Sequence, residues 1–79
     1  MSTNKQIFET LKNQYPSLVC LIDYIKQNFK VGDNISSERN LDFEVGYSRT
    51  SMRESLLILQ CFGFISRAHG KPTKYIKQL

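Results

Sequence analysis

Seventy-nine residues, 41% of them hydrophobic and 23% charged, suffice for one small globular domain (1–79) and exclude two. A formal net charge of +4 suits an anionic partner, and Arg39, Arg49, Arg53, Arg67, Lys71, Lys74 and Lys77 all lie after residue 38. No apolar signal core follows Met1 and no run is long enough to span a membrane, so a cytoplasmic location is expected; no Cys/His cluster has metal-ligand spacing.

The first predicted element is a helix over 3–14, with Ser2 or Thr3 as cap and Ile7, Phe8 and Leu11 on one face. Tyr15-Pro16 closes it, because proline disfavours a helical conformation at the residue before it. Pro16 then suits the start of a second helix over 17–29, whose apolar stripe is Leu18, Leu21, Ile22, Ile25 and Phe29. Lys30 to Asn34 form a turn by composition, and Ile35 and Ser36 an extended link. Ser37 is expected to cap a brief helix reaching about Glu44, with Leu41 and Val45 facing inward. Cys20 and Cys61 are far apart in apolar, helix-like surroundings and are expected as two buried thiols rather than a disulfide.

The stretch from Val45 to Leu56 organises the rest. Gly46 can take the left-handed conformation that ends one helix, and Ser48 can cap the next. In a helix from Arg49 to Phe62, Arg49, Thr50 and Arg53 share one side of the first turns, while Met52, Leu56 and Leu59 face a core. A short helix, a glycine turn and a helix with arginines at its leading end make a helix-turn-helix, whose second helix enters a DNA major groove. Gly63 stops that helix, and the pattern then changes to strand. Phe64 to Arg67 and Lys74 to Lys77 read as a β-hairpin joined by the turn-rich Ala68 to Thr73. The expected fold is therefore mostly α with a small β-hairpin: a winged helix-turn-helix core over 17–77, carrying an extra N-terminal helix.

Residues 32–77 resemble the DNA-binding domain of the GntR family of bacterial transcription regulators. The resemblance is carried by Gly32-Asp33, Ser37-Glu38-Arg39 with Leu41, Gly46, Ser48-Arg49-Thr50, Arg53-Glu54, Leu56, Leu59, Gly63 and Ile65. His69-Gly70-Lys71-Pro72-Thr73-Lys74 is similar to the wing of the family's fatty-acid regulators. The resemblance implies a sequence-specific binder of double-stranded DNA, a small transcription regulator or repressor. It implies that Arg39, Arg49 and Arg53 contact DNA, that Thr50 lies near the backbone, and that His69 and Gly70 form a wing tip in the minor groove. The chemistry agrees. Arginine can reach guanine O6 and N7 together, and a cation beside a glycine suits a narrow, electronegative groove. Lys71 and Lys74 add attraction to phosphate, and Ser48 completes the set through its helix start.

Three positions depart from the family pattern. Asn40 stands where Glu would complete a capping box with Ser37, Asp42 where a small residue is usual, and Tyr47 where a small aliphatic residue is usual. The large C-terminal effector and dimerisation domain of the family has no counterpart in these 79 residues, so neither a small-molecule effector nor a cofactor is expected.

Leu57, Ile58, Cys61 and Phe62 make the end of the central helix apolar nearly all round, and something must cover it. Ile7, Phe8 and Leu11 supply a matching face, either as a lid within one chain or across a homodimer, with the homodimer slightly favoured. Two other readings stand beside transcription regulation. A plasmid or phage replication or partition factor would use the same DNA-binding geometry. A winged-helix protein-interaction module would use the apolar surface and leave the arginines incidental. An enzyme is not expected: the sequence holds no carboxylate pair, no nucleophile beside a base and no phosphate loop.

Overall fold

The computed structural model describes residues 4–35, 38–68 and 70–79, without the side chains of Glu38 and Arg39. The capping roles expected of Ser2, Thr3 and Ser37 lie outside the described residues. Four helices and three short strands follow in the order α1 (Asn4–Gln14), α2 (Pro16–Asn28), β1 (Asn34–Ile35), α3 (Glu38–Val45), α4 (Arg49–Cys61), β2 (Ile65–Ser66) and β3 (Thr73–Tyr75). This is a mostly helical winged helix-turn-helix with an extra N-terminal helix.

The junction between α1 and α2 follows from one dipeptide. Tyr15 N–H donates to the Leu11 carbonyl at 2.9 Å, closing α1. Its backbone is extended (φ −122°, ψ 92°), as a residue before proline prefers, and Pro16 opens α2 at its first position. Leu18, Leu21, Ile22 and Ile25 of α2 are then buried, the stripe the sequence predicts. They pack with Leu41, Met52, Leu56 and Leu59 from α3 and α4 and with Ile35, Ile65 and Tyr75 from the strands. Where α2 crosses α4, Ser17 and Ser55 are both buried and share a hydrogen bond of 3.0 Å between their hydroxyls. Small hydroxyl residues let the two helices approach, and each satisfies the other's polar atom.

The helix-turn-helix is closed by glycines at both joints. Gly46 has φ 85° and donates its N–H to the Asp42 carbonyl at 3.1 Å, ending α3. At the end of α4, Gly63 has φ 81°, its N–H donates to the Gln60 carbonyl at 3.0 Å, and Phe64 N–H donates to the Leu59 carbonyl at 3.0 Å. That pair of bonds is a Schellman motif, which turns the chain directly into β2.

The wing differs from the expected hairpin in two ways. Ile35 is not a bare link: β1 joins the sheet, whose order is β1-β3-β2. Asn34 lies opposite Lys74 and Ile35 opposite Thr73, while Ile65 lies opposite Tyr75 and Ser66 opposite Lys74. The return strand also starts earlier, at Thr73, and ends at Tyr75. Ile76 and Lys77 leave the ladder because both their N–H groups donate to the one carbonyl of Phe64, at 3.0 and 3.2 Å.

The cysteines are unpaired and exposed rather than buried. Cys20 sits on the outer side of α2, between the core positions Leu18 and Leu21, and Cys61 lies in the last turn of α4, beyond its last core residue, Leu59.

The N-terminal helix packs as a lid within the chain. The Phe8 ring lies 5.2 Å from that of Phe62 and 4.9 Å from that of Phe64, centroid to centroid. Phe8, Leu11 and Ile58 pack against the core, whereas Ile7, Leu57 and Cys61 stay exposed.

Candidate nucleic-acid interface

The leading end of α4 is built from its cap outward. Ser48 is extended (φ −65°, ψ 157°), and its Oγ accepts the Ser51 backbone N–H at 3.2 Å while its hydroxyl donates to Ser51 Oγ at 3.1 Å. A serine cap of this kind satisfies one of the four amide donors a helix start leaves open. The buried positions Met52, Leu56 and Leu59 fix the rotation of the helix. Arg49, Thr50 and Arg53 are thereby turned to solvent and all three are exposed.

Arg49 carries a contact that the sequence did not reveal. Its Nε donates to Asp42 Oδ2 at 3.3 Å, across the Gly46 turn. The Arg49 side chain is 61% exposed and that of Asp42 only 19%. With the guanidinium in solvent, the pair contributes at most about 1 kcal/mol to stability. Its effect is geometric: Nε is engaged while the two terminal nitrogens of the guanidinium keep their donors. Asp42 Oδ1 is buried with no hydrogen-bond partner among the described residues, so the carboxylate presents its charge chiefly to Arg49.

Tyr47 fills the turn. Its ring packs against the core, and its hydroxyl accepts from the Cys20 thiol of α2 at 3.7 Å. Ionised to thiolate, the same sulfur would instead accept from the phenol O–H; that hydrogen bond first, the thiolate charge second and burial last raise the Tyr47 phenol above its ordinary value. Tyr47 thus ties the turn to α2, a role that a small aliphatic residue could not fill.

On the wing, Gly70, Lys71 and Lys74 are exposed, with Lys74 on the central strand between Asn34 and Ser66. Tyr75, the next residue, is fully buried, and its hydroxyl accepts the Leu79 N–H at 2.9 Å. The alternation of the strand therefore puts Lys74 out because Tyr75 points in. The structure groups Arg49, Thr50 and Arg53 on one helix start and Gly70, Lys71 and Lys74 on the wing. His69 and the side chain of Arg39 lie outside the described residues. The sequence missed Asp42 as a partner of Arg49; its only signal was that it departs from the family pattern.

Among the described residues no group of three His, Cys, Asp or Glu side chains could hold a metal ion, and no helix is long and apolar enough to cross a membrane.

No protein-family model matches the chain. It is similar to the fatty acid metabolism regulator protein of Haemophilus influenzae (strain PittEE), at 38% identity over 78 residues, covering 94% of this chain and 31% of that protein. It is also similar to the protein of the same name from Pasteurella multocida (strain Pm70), at 40% identity over 47 residues, covering 60% of this chain and 20% of that protein. The chain thus spans less than a third of the length of these relatives. The similarity to the first of these runs through nearly all of this chain and takes in its winged helix-turn-helix.

Proposed function

We propose that this protein binds double-stranded DNA in a sequence-specific way and acts as a transcription regulator, most simply a repressor. Helix α4 enters the major groove from Arg49, with Arg49 and Arg53 reading guanine edges and Thr50 near the backbone. The wing around His69 and Gly70 follows the minor groove, and Arg39, Lys71 and Lys74 add contacts or attraction to phosphate. Such a protein works in the cytoplasm, on DNA, and catalyses nothing.

One observation carries this reading: a serine-capped helix start that turns Arg49, Thr50 and Arg53 outward directly after the Gly46 turn, with Arg49 steadied by Asp42. An arginine already steadied before binding loses less freedom when it meets a base, which favours selective contact over general charge attraction. The regulator-named relatives support the same reading.

Dimerisation now rests on Ile7, Leu57 and Cys61, the members of the expected face that remain exposed, because Phe8, Leu11, Ile58 and Phe62 serve the chain's own packing. Three exposed side chains are a small surface beside the roughly 1,000 Å² a stable interface needs. On this reading a second copy is met on the DNA, at an adjacent half-site, rather than in solution.

A protein-interaction module is the second reading, favoured by Phe43, which is 87% exposed on α3. Selection from a random duplex pool, followed by methylation interference at guanine N7, separates the two. The proposal predicts a recovered motif with interfering guanines whose effect is lost in Arg49→Ala or Arg53→Ala. A pool that yields no motif would leave the protein-interaction reading standing.

A further inference from the structure

At the opposite end of α4 from Arg49, about 20 Å along the helix, a cavity of about 410 Å³ opens between α1 and the segment after β3. Its size falls within the range of small-molecule sites, roughly 300–1,000 Å³. Its apolar floor centres on the Phe8, Phe62 and Phe64 rings, whose centroids lie 5.2 and 4.9 Å from that of Phe8.

The rim is cationic. Lys5, Lys12, Lys26 and Lys77 line it, and Glu9 is the one carboxylate side chain among the lining residues. Glu9 is already paired with Lys12 at 3.5 Å. Lys77 Nζ sits 4.9 Å from the centre of the Phe64 ring, so its charge is held over the floor rather than directed away from it. Lys5 and Lys26 have no ion-pair partner among the described residues. Three positive charges thus surround an aromatic floor with no counter-charge among the lining side chains.

We propose that this cavity binds a small amphipathic anion, an aromatic or medium-chain carboxylate or sulfonate. Its apolar body lies on the Phe8, Phe62 and Phe64 rings, and its anionic head meets Lys5, Lys26 and Lys77. The rings reward burial of apolar surface, and the lysines disfavour a neutral or cationic ligand by leaving their charges unanswered. The site lies where α4 passes into the wing, apart from the candidate DNA-binding residues, so it stands whether or not the DNA reading does.

The test is a titration of the full chain, ¹⁵N-labelled, with naphthalene-1-sulfonate, followed by amide chemical shifts. The proposal predicts saturable shifts around Lys5, Phe8, Lys26, Phe64 and Lys77, and none from Arg49 to Arg53. The neutral counterpart, 1-naphthalenemethanol, should bind about tenfold more weakly, and the Lys26→Gln/Lys77→Gln variant should lose about tenfold in sulfonate affinity while binding the neutral compound unchanged. Both lysines are at the surface, so the variant keeps its fold, which its own spectrum verifies. The absence of saturable shifts, shifts centred on Arg49 to Arg53, or equal binding of the neutral compound would each overturn the proposal.

Discussion

Asp42 and Arg49 meet across a glycine turn, and the pair puts opposite demands on DNA binding. The carboxylate steadies the guanidinium, yet it also places a negative charge close to where a phosphate backbone would pass. Asp42→Asn relieves the second effect and weakens the first. Affinity for arbitrary duplex should rise, while the preference for a selected site should shrink, with fold stability changed by no more than about 1 kcal/mol. Binding isotherms on selected and scrambled duplexes would show this, and an unchanged preference would mean that Asp42 has no part in orienting Arg49. The Ser48 cap was legible in the sequence because capping is a local matter, settled within a few residues. The Asp42–Arg49 contact was not, because it depends on the angle between two helices. Nor was the exposure of Cys20 and Cys61: their neighbours are apolar, but their own helical positions fall off the buried stripe.

The helices themselves were legible because each carries one clear apolar stripe and a recognisable stop: Pro16 for α1, the turn from Lys30 for α2, Gly46 for α3 and Gly63 for α4. Strand β1 was not. Two residues long, it has no period of its own, and it exists only because β3 offers it hydrogen bonds from far along the chain. The junction of α2 and α4 was also hidden, since Ser17 and Ser55 read as ordinary polar positions. Both are buried, and each hydroxyl depends on the other. Ser55→Ala should therefore cost about 1–3 kcal/mol by stranding the Ser17 hydroxyl, whereas Ser17→Ala/Ser55→Ala together should cost less than the sum of the two single changes. Urea unfolding of the three variants measures that coupling. Strict additivity would show that the hydrogen bond contributes nothing.

At the scale of the whole molecule, the chain has two differently built ends. One carries Arg49, Thr50 and Arg53 on a capped helix start; the other carries aromatic rings under a lid helix. The sequence pointed to both the apolar end of α4 and its cover, but it could not say whether the cover came from the same chain. Phe8 against Phe62 and Phe64 supplies an intramolecular cover, and light scattering at micromolar concentration should accordingly return a monomer; a stable dimer in solution would require the exposed Ile7, Leu57 and Cys61 to do more than their extent suggests. The central claim remains selective recognition of DNA through the start of α4. It is tested most directly by fluorescence anisotropy of wild type and Arg49→Ala/Arg53→Ala on a selected duplex and its scrambled counterpart, at near-physiological salt. Wild type should prefer the selected duplex. The double variant should lose about 1–3 kcal/mol for each arginine that makes a bidentate base contact, and with it that preference, keeping only weak, salt-sensitive binding. Equal, weak and salt-sensitive binding of both duplexes by wild type would contradict the claim and reduce the basic face to general charge.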